Sequence, residues 1–80
     1  MAKTFRVTVT KLEEPLFDGE AVFVIVPGVE GEMTVLPEHE ALITPLSEGT
    51  IRVQKEDHEE IFNIERGVLE ISNNQATILV

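Results

Sequence analysis

No stretch of this chain keeps apolar residues at helical spacing over ten positions, whereas a two-residue alternation recurs along most of it. That period belongs to strands, whose successive side chains point to opposite faces. In Lys3–Thr10, Phe5, Val7 and Val9 alternate with Thr4, Arg6, Thr8 and Thr10, which sends the apolar set to one side. Glu20–Pro27 instead carries the unbroken run Val22-Phe23-Val24-Ile25-Val26, as a strand buried on both faces would. Pro27-Gly28 ends that run, and Gly31 marks another turn before Met33–Leu36. Ala41–Thr44 is short, apolar and closed by Pro45. In Thr50–Lys55, Ile51 and Val53 alternate with Arg52 and Gln54. Glu56-Asp57-His58 reads as a hairpin tip and Glu59–Arg66 as the returning strand, with Phe62 and Ile64 inward. Val68–Ser72 and Gln75–Val80 follow, joined by Asn73-Asn74, residues that tolerate the positive φ of a tight turn.

Short strands at this spacing predict an all-β sandwich or barrel. The 80 residues form one domain, 1–80, since a second would need its own core. A domain this small buries only about 60–65% of its unfolded surface. With no Cys to staple it, packing or a partner must hold it together. The run through Val22–Val26 is an aggregation hazard if exposed, which predicts a central or covered place for it.

Charge narrows the partners. Six basic against fifteen acidic residues give a formal net charge of −9. Nucleic acids and anionic lipid surfaces both require a cationic footprint, so both are disfavoured, and basic protein surfaces are favoured instead. The acid is also uneven. No Lys or Arg stands between Lys11 and Arg52, while Glu13, Glu14, Asp18, Glu20, Glu30, Glu32, Glu38, Glu40 and Glu48 all fall inside. Such a segment is either a solvated surface or a patch matched to a basic partner. No stretch reaches the roughly 18–20 apolar residues of a membrane span, and the N-terminus lacks the apolar core of a signal peptide. A cytoplasmic chain without membrane insertion is expected.

Candidate chemistry is sparse. Glu38-His39-Glu40 joins an imidazole to two carboxylates, yet in an extended chain His39 points away from both glutamates. Glu56-Asp57-His58-Glu59-Glu60 offers clustered carboxylates but lacks the glycine of an ordered calcium loop. Ser47 and Ser72 are the only serines, and neither sits in a nucleophile elbow. Without Trp or Tyr, the platforms that sugars stack on are missing. Gly28 and Gly31 are not followed by a helix N-terminus or a phosphate-binding Lys. No catalytic residue, metal ligand, ATP contact or cofactor is assigned. The residues suggest a binding or structural module.

Two blocks carry a likeness. One is Gly31-Glu32-Met33-Thr34-Val35-Leu36-Pro37-Glu38-His39, continuing to Leu42, Thr44, Gly49, Ile51 and Arg52. The other is Gly67-Val68-Leu69-Glu70-Ile71, followed by Asn74, Thr77, Ile78 and Leu79, with Phe17 and Gly19 upstream of both. Together they closely resemble the N-terminal β-sandwich domain of the epsilon subunit of F-type ATP synthases, called delta in mitochondria. The resemblance implies a sandwich of two mostly antiparallel sheets with about ten short strands. It implies a non-catalytic rotor part of the central stalk that links the gamma subunit to the membrane c-ring, coupling ion-driven rotation to ATP synthesis or hydrolysis. By position, Glu32 and Met33 resemble the family's c-ring-facing loop, where Glu32 would meet a cationic polar loop. His39 and Thr44 fall where the family faces gamma. The implied location is peripheral, on the cytoplasmic face of the bacterial inner membrane.

This sequence departs from the pattern at Thr34, Glu38 and Glu40-Ala41, where Gly, Gly or Asn, and Ala-Pro are common. Many members continue into a C-terminal helical hairpin that can restrain hydrolysis and sometimes binds ATP. No such hairpin is expected within 1–80, so neither role is carried over. A free-standing ligand-binding sandwich is the alternative, and it requires a concave apolar pocket. A small metal-dependent enzyme is a third reading.

Overall fold

The structure, a computed structural model, describes residues 3–12 and 14–80. Among them are nine strands: β1 (Phe5–Lys11), β2 (Glu14–Ala21), β3 (Phe23–Gly28), β4 (Gly31–Val35), β5 (Leu42–Leu46), β6 (Gly49–Gln54), β7 (Glu59–Ile64), β8 (Gly67–Ser72) and β9 (Gln75–Leu79). The ladder runs β2-β1-β9-β8-β5-β3-β6-β7, with β4 also on β3. It curls into two leaves, β2-β1-β9-β8-β5 and β4-β3-β6-β7. They are joined in the ladder by one pair, Gly28↔Leu46. β4 fills one edge of β3 from Val24 to Gly28, so β6 and then β5 follow one another along the other edge. Ser47 N–H and Oγ both donate to the Pro27 carbonyl at this corner, at 2.8 and 3.2 Å.

Alternation builds the core. Phe5, Val7, Val9, Leu69, Ile71, Ala76 and Ile78 from the first leaf meet Val24, Val26, Val35, Ile51 and Val53 from the second, all essentially buried. No polar side chain is buried among the described residues, so the interior is held by apolar contact alone. On the open side, Phe17 of β2 meets Phe62 of β7 edge to face, with centroids 6.3 Å apart, and Lys55 Nζ lies 5.5 Å from the Phe17 ring. The leaves are thus closed by ladder at one side and by an aromatic clasp at the other.

All pairings are antiparallel except β1 with β9. Asn73 and Asn74, with φ of 51° and 57°, make the two-residue turn between β8 and β9 that their side chains allow.

Three expectations are corrected. The segment Glu14–Ala21 is a full strand, although the sequence pattern places a strand only from Glu20. It is an edge strand with a bulge opposite Val9/Thr10, and Glu14, Pro15 and Leu16 are exposed, so its period is blurred. The run Val22–Val26 is not buried on both faces. It crosses from one leaf to the other at Val22, and only Val24 and Val26 enter the core, while Phe23 and Ile25 are half-buried on a face with no third layer. Pro45 lies within β5 and does not close it. Its carbonyl accepts from Val29 N–H, away from β8, and the N–H it lacks would point the same way, so no β5–β8 bond is lost. Glu13, counted in the acidic segment, lies outside the described residues.

Candidate interaction surface

β3 and β4 form a hairpin whose two-residue tip, Val29-Glu30, follows the pair Gly28↔Gly31. Gly31 has φ of +135°, a backbone that side chains disfavour. Register places Glu32 opposite Pro27 and Met33 opposite Val26. Glu32 is exposed and enters none of the ion pairs among the described residues, so its carboxylate is open to a partner. Met33 is half-buried against the core. Glu30 and Glu48 stand exposed at the same end of the sandwich, with Glu65 and Arg66 in the β7–β8 connection nearby.

His39 lies at the opposite end, in the connection from β4 to β5. Five strand residues at about 3.3 Å each separate the two ends by roughly 15 Å. His39 is exposed, and its Nδ1 donates to the Glu40 carbonyl at 2.7 Å. Glu38 has φ of 65°, pairs with Lys3 at 2.7 Å, and donates its N–H to Asn74 Oδ1 at 2.6 Å. Lys3 holds the Glu38 carboxyl below its ordinary pKa, chiefly by their hydrogen bond. The Glu38 carboxylate is thus taken by Lys3 and the His39 ring by the Glu40 backbone carbonyl, so imidazole and carboxylates do not converge on one site.

Thr44 does not share an outward face with His39. It is half-buried and sits opposite the core residue Leu69, on the inward side of β5 with Leu42 and Leu46. The outward residues of β5 are Ile43, 70% exposed, and Pro45. Pairing extends that face through Val68 of β8 and Leu79 of β9, both exposed. The sequence reading missed this apolar row. Its trace is the adjacent pair Ile78-Leu79, since two successive strand residues cannot both face the core.

The acidic segment is not one patch. Asp18 is engaged by Arg6 through two bonds, Nε–Oδ1 at 2.9 Å and Nη2–Oδ2 at 2.8 Å, and Glu20 accepts from Thr4. The Arg6 bonds hold the Asp18 carboxyl below its usual range. Glu30, Glu32 and Glu48 stand open around the β3–β4 tip, while Glu14 at the start of β2 and Glu40 beside His39 are exposed elsewhere.

At the β6–β7 tip, His58 Nδ1 donates to Asp57 at 2.7 Å, and Nε2 lies 3.4 Å from Glu60. Carboxylates on opposite ring nitrogens do not form a shared cation site. Hydrogen bonding to Asp57, then to Glu60, raises the His58 pKa above its ordinary value, with Lys55 opposing. The resulting stabilisation is complete below the unfolded-state His pKa and is lost as pH rises through the folded one. Proton NMR titration should find a His58 midpoint above that of a free histidine, and Asp57→Asn should move it down. Two surface clefts among the described residues carry polar and charged lining side chains, among them Glu20, Lys55 and Asp57 in one and Glu70 and Gln75 in the other.

Residues 4–80 match the family described as the ATP synthase delta/epsilon chain, beta-sandwich domain. The chain belongs to that family. It is 42% identical to the ATP synthase epsilon chain of Herminiimonas arsenicoxydans, across 99% of this chain and 58% of that protein. It is 40% identical to the epsilon chain of Delftia acidovorans, across 95% of this chain and 56% of that one. The chain thus spans less than two thirds of the length of these delta/epsilon relatives. A chain in the cryo-EM structure of the Euglena gracilis mitochondrial ATP synthase superposes with a TM-score of 0.90 at 22% identity, covering 96% of this chain and 50% of that one. One in the central stalk/c-ring structure of the Tetrahymena thermophila enzyme gives 0.78 at 16%, covering 99% and 64%. At such identities the two likenesses bear on the delta/epsilon sandwich fold.

Proposed function

We propose that this chain is the sandwich part of a non-catalytic rotor subunit in the central stalk of an F-type ATP synthase, linking the gamma subunit to the c-ring. The observation that carries the reading is the family match over residues 4–80, with about 40% identity to proteins named ATP synthase epsilon chain. Its place is peripheral, on the cytoplasmic face of a bacterial inner membrane. Glu32 and Met33 face the polar loops of the c-ring. In support, Glu32 is exposed on β4 next to the hairpin tip and enters no ion pair among the described residues, while its neighbour Met33 is half-buried against the core. His39 belongs to the gamma-facing side. Thr44 comes to that side only through its strand, since it turns inward on β5, whose outward neighbours Ile43 and Pro45 continue through Val68 and Leu79 as an exposed apolar row of the kind protein interfaces use. An exposed ion pair adds only about 0–1 kcal/mol, so apolar contact carries the affinity and charge sets orientation.

Calorimetric titration of the chain with its cognate gamma subunit at low and high salt tests the assignment. One-to-one binding that weakens but persists as salt rises is expected. A chain folded by circular dichroism that binds gamma at no salt concentration overturns it. In reconstituted membranes, Glu32→Lys should lower the number of ions pumped per ATP hydrolysed. Unchanged pumping removes Glu32 from the c-ring contact.

A further inference from the structure

We propose that Asn74 is a positioning residue whose side chain holds the Leu36–Ala41 connection, and with it His39, at the surface. The inference deepens the reading of His39 as gamma-facing and rests on it for its functional part. The connection has little else to fix it. None of its backbone groups takes part in a backbone–backbone hydrogen bond outside the strand ladders among the described residues. Its ties are the Glu38 N–H to Asn74 Oδ1 bond at 2.6 Å, the His39 bond to its own neighbour Glu40, and the Lys3–Glu38 ion pair. That ion pair is weak support, because its side chains are 79% and 63% exposed. Glu38 also holds a left-handed backbone, φ 65°, which a residue with a Cβ keeps only when its surroundings impose it.

Asn74 is built to impose it. Its backbone lies in the β8–β9 turn, and its carbonyl accepts from Arg6 N–H at 3.4 Å. Its Nδ2 donates to the Thr4 carbonyl at 3.4 Å while its Oδ1 takes the Glu38 N–H. One amide thus spans the start of the first leaf and a loop 36 residues away in sequence. The turn alone does not call for an amide here. It requires positive φ, which glycine supplies at lower cost. The side chain is therefore explained by what it reaches.

This separation makes the test clean. Asn74→Gly keeps the turn and deletes the tether, and Asn74→Asp restores an acceptor for Glu38 N–H. In the full chain, Asn74→Gly should speed hydrogen exchange at the Glu38 amide about tenfold, the factor that one net hydrogen bond supplies. It should shift the Glu38–Glu40 resonances while leaving the urea midpoint within error of wild type. Affinity for recombinant cognate gamma should fall several-fold, and Asn74→Asp should recover both the Glu38 protection and most of the affinity. An unaltered Glu38 amide in Asn74→Gly overturns the positioning. An altered amide with unaltered gamma affinity, where His39→Ala does weaken binding, overturns its use at the interface. If His39→Ala itself leaves gamma binding intact, it is the gamma-facing reading of His39 that fails, and the Glu38 amide decides the positioning by itself.

Discussion

Phe5→Ala is expected to destabilise the domain by about 3–5 kcal/mol, the range for removing a buried aromatic ring. Phe5 is 2% exposed and belongs to the core shared by both leaves. A domain of 80 residues has a total stability of about 4–12 kcal/mol at typical per-residue values. The loss is thus comparable with the whole, and with no Cys in the chain no disulfide offsets it. Ile61→Ala on β7 is the control. Ile61 is 53% exposed, and surface changes of this kind stay within about 0.5 kcal/mol. Urea unfolding followed by circular dichroism should show a large fall in midpoint for the first and almost none for the second, at similar slope. Equal midpoints would mean that the core is not where the burial pattern places it.

Gly28→Ala should have the next largest effect and a local structural signature. A Cβ at position 28 would stand 2.7 Å from the Gly31 carbonyl oxygen and 3.1 Å from Met33 Sδ. The first contact is with backbone and cannot be relieved by a rotamer. Overpacking of this kind costs about 1–3 kcal/mol. Gly28 also pairs with Leu46, so the strain falls on the one rung that joins the leaves. Amide shifts should concentrate in Val29–Met33 and at Leu46, with a fall in thermal midpoint. On the proposed c-ring role of Glu32, which the same hairpin presents, coupling in reconstituted membranes should fall with it. Shifts spread evenly over the chain would contradict the corner geometry.

The alternation of Phe5, Val7 and Val9 was legible in sequence because each leaf has water on its outer face, so parity maps directly onto burial. The tight turn at Asn73-Asn74 was legible because few residues accept positive φ. β2 was not, because an edge strand with a bulge answers to only one neighbour. The Val22–Val26 run misled for another reason. A chain passing between leaves at Val22 resets its parity, and two half-runs then look like one continuous apolar strand. At the candidate surface, Glu32, Met33, His39 and Thr44 came from the family resemblance. The direction of the strand residues among them came only from register, which turned Thr44 inward and brought Ile43 out, while His39 lies in a connection that no register fixes. The bond between Asn74 and Glu38 carries no sequence trace, since nothing local ties residues so far apart in the chain.

The parallel pairing of β1 with β9 bears on how the protein is made. β1 lies between β2 and β9, with Arg6 opposite Gln75 and Thr10 opposite Leu79. β1 and β2 can zip as a hairpin early in synthesis, but the first leaf stays split until Gln75–Leu79 has left the ribosome. Until then β1 offers an unpaired edge, and Phe5, Val7 and Val9 lack part of the layer that covers them. Long-range closure of this kind makes for slow folding, typically milliseconds to seconds. The nascent chain is therefore most exposed to aggregation just before its ninth strand appears, and a ribosome stalled short of Gln75 would hold a chain that cannot complete its core.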